Sequence, residues 1–272
     1  MSASGHRVLH GTGLRVRWGS ATDVGRVRDH NEDSLIAQGA VFAVADGMGG
    51  HAAGEVASRI AVEALATLLE HPAAGEEDVA EALRTANRGI LQSQADNPDQ
   101  AGMGTTATGL TVVDAGGREH WVVFNVGDSR VYRLAEHRLS MLTRDHSEVR
   151  ELMDAGLIDA EEAARHPMRN IITRSLGTDP APAPDVWVLD PTPGERFVVC
   201  SDGLSNELDD REIMLVARKY DDPQVAADQL VGAAVRAGGH DNVSVVVVSV
   251  DPGTGDGDAD ADTAPRPGRL LG

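Results

Sequence analysis

The sequence predicts an α+β fold in which antiparallel sheets are covered by helices. Three observations carry this expectation. Strand-like apolar runs come in groups rather than alternating singly with helices, and short Gly-containing turns join them. The helical segments come in two pairs, one after the first strands and one before the last strand. The 41% hydrophobic content of the 272-residue chain is enough for a sizeable core, although aromatics make up only 3%. Val, Leu, Ile and Ala must therefore build most of it.

Residues 1–12 are polar and Gly-containing, which predicts a flexible N-terminus ahead of a domain spanning 13–251. Leu14, Val16 and Trp18 alternate as on a half-buried strand. "SLIAQGAVFAVAD" reads as two strands about a turn at Gln38-Gly39. "AAGEVASRIAVEALATLLEH" is an amphipathic helix with Val56, Ile60, Ala64 and Leu68 on its apolar face, ended by Pro72. A second helix follows, with Val79, Leu83, Ala86 and Ile90 as its stripe. "GTTATGLTVVD", "EHWVVFNVGD" and "SRVYRL" form a meander of strands. Residues 145–170 hold short charged helical pieces without a strong apolar face, a surface flap. Strands resume at "DVWVLD" and "RFVVCSD", two helices follow, and "NVSVVVVSV" closes the domain. Residues 252–272, rich in Gly, Pro and Asp, read as a disordered acidic tail. "GDGDADAD" within it lacks the spacing of an EF-hand or an RTX repeat.

A formal charge of −19 argues against a nucleic-acid or anionic-membrane surface, and leaves protein partners and small substrates. Cys200 is the only cysteine, which excludes an internal disulfide and a Cys-based zinc cluster. The most apolar stretch, Val243 to Val250, is far too short to cross a bilayer, and the first twenty residues lack a hydrophobic signal core. The expected location is the cytoplasm, where the Asn242-Val243-Ser244 sequon is not glycosylated.

Four acids stand where apolar runs begin or end: Asp46 after "VFAVA", Asp128 after "WVVFNVG", Asp202 after "RFVVCS", and Asp241 before "NVSVVVV". Any one alone suits a turn or a helix cap. If the runs are central strands, all four carboxylates gather at one sheet edge, where a divalent cation relieves their repulsion. Oxygen donors without His or Cys suit Mg²⁺ or Mn²⁺ rather than zinc. Gly47 and Gly203 follow two of these acids, and Gly47 permits a sharp turn that frees its carbonyl. Arg28, four residues before Glu32, suits a bidentate phosphate contact or a salt bridge to Asp29 or Glu32. "GTTATG" lacks the Lys of a phosphate-binding P-loop and reads better as a small-residue strand.

The blocks "GRVRDHNEDS", "VFAVADGMGGHAAGEVAS", "GTTATGL", "NVGDSRVYRL", "LTRDHS", "ITRSLG", "CSDGLSNEL" and "GGHDNVSVVVV" resemble, in order, the bacterial metal-dependent protein serine/threonine phosphatases of type 2C. The likeness runs from about Thr22 to Val250. It implies a four-layer α-β-β-α sandwich with a two-metal centre of Mn²⁺ or Mg²⁺ at one end. It implies that Asp46 bridges both ions, that the Gly47 carbonyl binds one, and that Asp202 and Asp241 bind the other. Glu32 would hold a metal-bound water, and Asp128 a third, weaker ion. Arg28 would bind the phosphate, and the 145–170 segment would match the family's flap. Two cations would activate a bridging water for in-line attack on phosphorus, with no covalent enzyme intermediate. Met48 stands where animal members carry a histidine, so two roles stay open for His51: proton donor to the leaving oxygen, or a structural place at a helix N-terminus.

The implied substrates are phosphoserine and phosphothreonine proteins, with Ser/Thr kinases as counterparts. Two rivals share the fold: a non-catalytic sensor, and a phosphatase dedicated to an anti-sigma-factor antagonist. The first usually loses metal carboxylates, which are present here. A Cys-x5-Arg phosphatase is excluded, since Asn206 stands six residues beyond Cys200.

Overall fold

The computed structural model describes residues 4–50, 53–70 and 75–253. In chain order the elements are β1 (Ser4–Val8), β2 (Arg15–Asp23), β3 (Ser34–Gln38), β4 (Val41–Ala45), β5 (Gly47–Met48), α1 (Ala53–Glu70) and α2 (Glu76–Asp96). Next come β6 (Gly104–Thr105), β7 (Ala107–Asp114), β8 (Glu119–Val126), β9 (Arg130–Ala135), β10 (Arg138–Met141), α3 (Glu148–Asp154) and α4 (Ala160–Arg165). The chain closes with β11 (Asp185–Leu189), β12 (Arg196–Cys200), α5 (Asp202–Ser205), α6 (Asp210–Lys219), α7 (Pro223–Ala237) and β13 (Val243–Asp251).

Two antiparallel sheets result, ordered β1-β2-β13-β12-β9-β10 and β11-β8-β7-β4-β3, with a small β5-β6 ladder beside them. Strict alternation sorts the side chains of each central strand between two cores. On β4, Phe42 and Val44 face the other sheet, whereas Val41, Ala43 and Ala45 face the helices. On β13, Val246, Val248 and Val250 face the other sheet, and Val243, Val245 and Val247 lie under α7. Three cores therefore separate four layers: α1/α2, the five-stranded sheet, the six-stranded sheet, and α6/α7. This double coverage explains why β13 is an unbroken apolar run in an antiparallel sheet. Half of the scarce aromatics fill the middle core, where Trp18, Phe42, Trp121 and Phe197 form a chain with centroids 5.3, 6.2 and 5.5 Å apart, the first pair tilted and the other two edge to face.

Two expectations need correction. Residues 4–8, expected to be flexible, form the edge strand β1, paired with β2 from Ser4↔Gly19 to Val8↔Arg15. Arg7 also ion-pairs with Glu119 of the other sheet. Polar composition is what an exposed edge strand tolerates. On α1 the deepest stripe is Ala57, Ala61, Leu65 and Leu68, while Val56, Ile60 and Ala64 are only partly buried. Small residues face inward because α1 lies close against β4 and β5. The α2 stripe of Val79, Leu83, Ala86 and Ile90 is buried as expected. Pro72 and most of the acidic tail (254–272) lie outside the described residues.

No helix among the described residues is long and apolar enough to cross a membrane.

Candidate active site

Asp46 is set at the end of β4 by three hydrogen bonds to its backbone. Its N–H donates to Thr106 Oγ1 at 2.9 Å, and its carbonyl accepts from the Thr106 N–H and from Thr105 Oγ1, both at 2.9 Å. Thr105 and Thr106 of "GTTATG" thus anchor a carboxylate-bearing residue rather than cradle a phosphate. Asp202 opens α5 directly after β12, and Asp241 stands two residues before β13. Asp128 follows β8 in the turn to β9.

The glycines of the two Asp-Gly pairs serve close approach. The chain continues extended through Gly47 into β5, with no turn there, and a Cβ on Gly47 would stand 2.2 Å from the Gly54 carbonyl of α1. A Cβ on Gly203 would stand 2.0 Å from the Asn242 carbonyl. The second contact lets the β12–α5 corner lie against the start of β13, which brings Asp202 and Asp241 together.

The four sequence-derived acids do meet, and a fifth joins them. Asp33, just before β3, is buried beside Asp46, Asp202 and Asp241, with Oδ2 accepting from Ser201 Oγ at 2.8 Å. In the pair Glu32-Asp33 nothing in the residue types says which acid turns inward. The signal that could have found it is the Ser201 beside Asp202, a hydroxyl placed to receive a carboxylate. Asn242 is a second residue the sequence did not single out. Its Oδ1 accepts from the Glu32 N–H at 2.8 Å, and its Nδ2 donates to the Val24 and His30 carbonyls at 2.9 Å each. It thereby clamps the loop that carries Arg28 and Glu32. Arg28 lies at the lip, about half exposed, with Nη2 donating to Asp241 Oδ2 at 2.7 Å. Its partner is neither Asp29 nor Glu32. His51 lies outside the described residues.

Burial dominates the electrostatics. It pushes Asp33 up to about 7, with Asp202 and Asp241 adding to the shift while Ser244 and Ser201 hydrogen bonds oppose it. Burial pushes Asp128 up to about 8, aided by Asp202 and Asp145. Asp46 is raised well above the usual carboxylate range by burial and then by Asp33, Asp202, Asp128 and Asp241. Asp202 is raised by burial and by Asp241. Such a group of acids either retains protons or receives a positive charge.

Three buried carboxylate oxygens have no hydrogen-bond partner: Asp33 Oδ1, Asp128 Oδ1 and Asp202 Oδ1. Buried carboxylate oxygens are ordinarily satisfied. Orphans on three separate segments of the chain, in a set of donors that are all oxygen, fit hard divalent cations. Among the described residues no three His, Cys, Asp or Glu side chains already surround one point in ligand geometry, so the fit rests on these orphans and on donor chemistry. The centre opens into a cleft of about 810 Å³, walled on one side by α3, α4 and the segment to Asn170, and on the other by α5 and the start of α6.

Comparison with known proteins agrees with this geometry. The family model "Protein phosphatase 2C" matches residues 26–228. The serine/threonine protein phosphatase PstP of Mycobacterium tuberculosis (strain ATCC 25618 / H37Rv) is 41% identical over 236 residues, covering 86% of this chain and 45% of that protein. The chain thus spans about half the length of that relative. The serine/threonine phosphatase stp of Listeria monocytogenes (serovar 1/2a) is 36% identical over 241 residues, 83% of this chain and 92% of that one. Among solved structures, the catalytic domain of PstP in complex with two manganese ions superposes with a TM-score of 0.79 at 37% identity, covering 88% of this chain and 99% of that chain. With a family model matching most of its length and the same two-sheet fold, the chain belongs to the protein phosphatase 2C family.

Proposed function

We propose that the chain hydrolyses phosphoserine and phosphothreonine monoesters in proteins, with two Mn²⁺ or Mg²⁺ ions as cofactors, and so opposes Ser/Thr kinases in the cytoplasm. The observation that carries this reading is the trio of orphaned carboxylate oxygens on Asp33, Asp128 and Asp202, with Asp128, Asp202 and Arg28 all lining one cleft. Asp46, the Gly47 carbonyl, Asp202, Asp241 and Glu32 are the residues that would hold the two ions, and Asp128 is placed to serve a third. Residues 13–251 form the catalytic unit, with 145–170 as its flap. Bound cations supply an activated water and neutralise charge on the transferring phosphoryl group.

The chain's own residues supply the rest. Arg28 presents a guanidinium to the phosphate oxygens, and releasing Asp241 is what frees that guanidinium. Asp33, held at Oδ2 by Ser201, would present its free Oδ1 to a cation at the same centre. The Thr105 and Thr106 anchors hold Asp46 rigidly, so positioning costs little at the moment of reaction. The phosphorus–oxygen ester bond breaks, water oxygen ends on phosphate, and the serine or threonine hydroxyl takes a proton.

Release of p-nitrophenol from p-nitrophenyl phosphate, and of phosphate from a phosphothreonine peptide, with and without Mn²⁺ tests the reading. Metal-dependent turnover of both, silenced by EDTA, is expected. Full activity in EDTA, or none with metal, overturns it. Titration calorimetry with Mn²⁺ gives an independent readout of the site.

A further inference from the structure

The cleft beside the carboxylate centre has walls of opposite charge. On the α5–α6 side stand Glu207, which accepts from His240, and Asp210. On the flap side stand Arg150 and Arg169. Arg150 shares its one acid, Asp154, with Arg144, so two guanidiniums rest on a single carboxylate. The Nε of Arg150 is buried without an acceptor. The exposed Arg169 guanidinium has no acceptor among the described residues. The other arginines of the cleft are occupied, Arg28 by Asp241 and Arg130 by Asp145.

An exposed guanidinium with no acceptor, in the same cleft as the reacting centre and on the same wall as a second that shares its acid, is a place for an anion. We propose that Arg150 and Arg169 form a specificity subsite for an anionic side chain, a carboxylate or a second phosphate, within a few residues of the phosphorylated one. The inference rests on the phosphatase reading above and names the class of phosphoprotein segment it takes. The acidic wall opposite excludes an anion from that side and so fixes the direction in which the segment lies.

The test uses phosphoserine peptides matched except for residues flanking the phosphoserine on either side: Glu-Glu, a second phosphoserine, Ala-Ala or Lys-Lys. The wild-type chain is expected to show kcat/KM about tenfold higher for the anionic peptides than for the Lys peptide, from one flank only. Arg169→Gln should bring that ratio close to one, Arg169→Glu should invert it, and Arg169→Lys should retain it. Better turnover of the doubly phosphorylated peptide marks phosphate as the preferred anion; better turnover of the Glu peptide marks carboxylate. Equal kcat/KM for all peptides by a wild-type chain that hydrolyses p-nitrophenyl phosphate overturns the subsite alone. Retention of the full ratio by Arg169→Gln overturns it too. A wild-type chain inactive on p-nitrophenyl phosphate instead defeats the phosphatase reading.

Discussion

At the strand ends five aspartates, 33, 46, 128, 202 and 241, face one another, with Arg28 reaching in from the lip to Asp241 and Arg130 nearby but paired with Asp145. In the neighbouring flap several of the acids are engaged locally. Asp154 pairs with Arg144 and Arg150, Glu161 with Arg165, and Asp159 and Glu162 close a capping box at the start of α4. The first region is largely buried, and its acids outnumber the guanidiniums that reach them; the second also carries more acids than arginines, but it lies exposed to water. The contrast teaches where the molecule stores electrostatic cost. Exposed pairs contribute little to stability, whereas buried like charges are tolerated only where something else supplies the opposite charge.

Removing one of the buried charges should therefore break function while relieving the fold. Asp46→Asn and Asp202→Asn are expected to lower kcat by more than about a thousandfold, since on the two-cation proposal each deletes a cation-binding oxygen. In EDTA the same variants should melt no lower than the wild type, because a mutual repulsion has gone. Near wild-type turnover in either variant defeats the two-cation reading. A collapse of Tm in EDTA would show instead that the acids are structural.

The second test is pH. Below the ordinary carboxylate value near 3.8, Asp33 and Asp128 hold protons whether the chain is folded or not. Between there and about 7 for Asp33, and about 8 for Asp128, the folded chain retains protons that the unfolded chain has released. Stability without metal therefore falls as pH rises through this window. Thermal melts in EDTA should give a Tm lower by about 5 °C or more at pH 8.5 than at pH 5.5. Millimolar Mn²⁺ should abolish or reverse that trend. A metal-free Tm that rises with pH over this range would contradict the raised carboxylates.

Arg28 lies between the two regions, half exposed and held by one acid. Arg28→Ala is expected to raise KM for p-nitrophenyl phosphate about tenfold and to lower kcat less, the pattern of a lost ground-state phosphate contact. Steady-state kinetics at saturating Mn²⁺ decides it. An unchanged KM removes Arg28 from phosphate binding.

The same contrast explains what the sequence disclosed. Asp46, Asp128, Asp202 and Asp241 were legible because each interrupts an apolar run, and a carboxylate at the end of a buried strand is conspicuous. Helix-covered antiparallel sheets were legible because strand runs and helices come in groups, and the four layers came with the family resemblance. Asp33 was not, because its neighbour Glu32 carries the same charge and a one-residue choice of inward face leaves no trace in composition. The α1 stripe slipped by one residue for a related reason: Ala57 and Ala61 pack tightly because they are small, while Val56 and Ile60 attract attention because they are apolar. β1 escaped notice since an exposed edge strand needs no alternation. The Arg28–Asp241 pair joins residues 213 apart in sequence, a contact only folding creates.

The smallest effect falls in the flap, and there selectivity and stability should part company. Asp154 is at the surface, and its carboxyl is held below the usual range chiefly by the Arg144 hydrogen bond. Asp154→Asn should hardly change Tm, because exposed ion pairs contribute little and each guanidinium can turn to water. It should nonetheless free a further positive charge on the wall that holds Arg150 and Arg169. The preference for anionic over Lys-flanked phosphopeptides should then rise by about twofold to threefold, and fall back as salt screens the wall. Melting curves and paired kcat/KM values at low and high ionic strength check both halves. A large fall in Tm would make the flap's ion pairs structural, and an unchanged preference would detach the flap's charge from substrate choice.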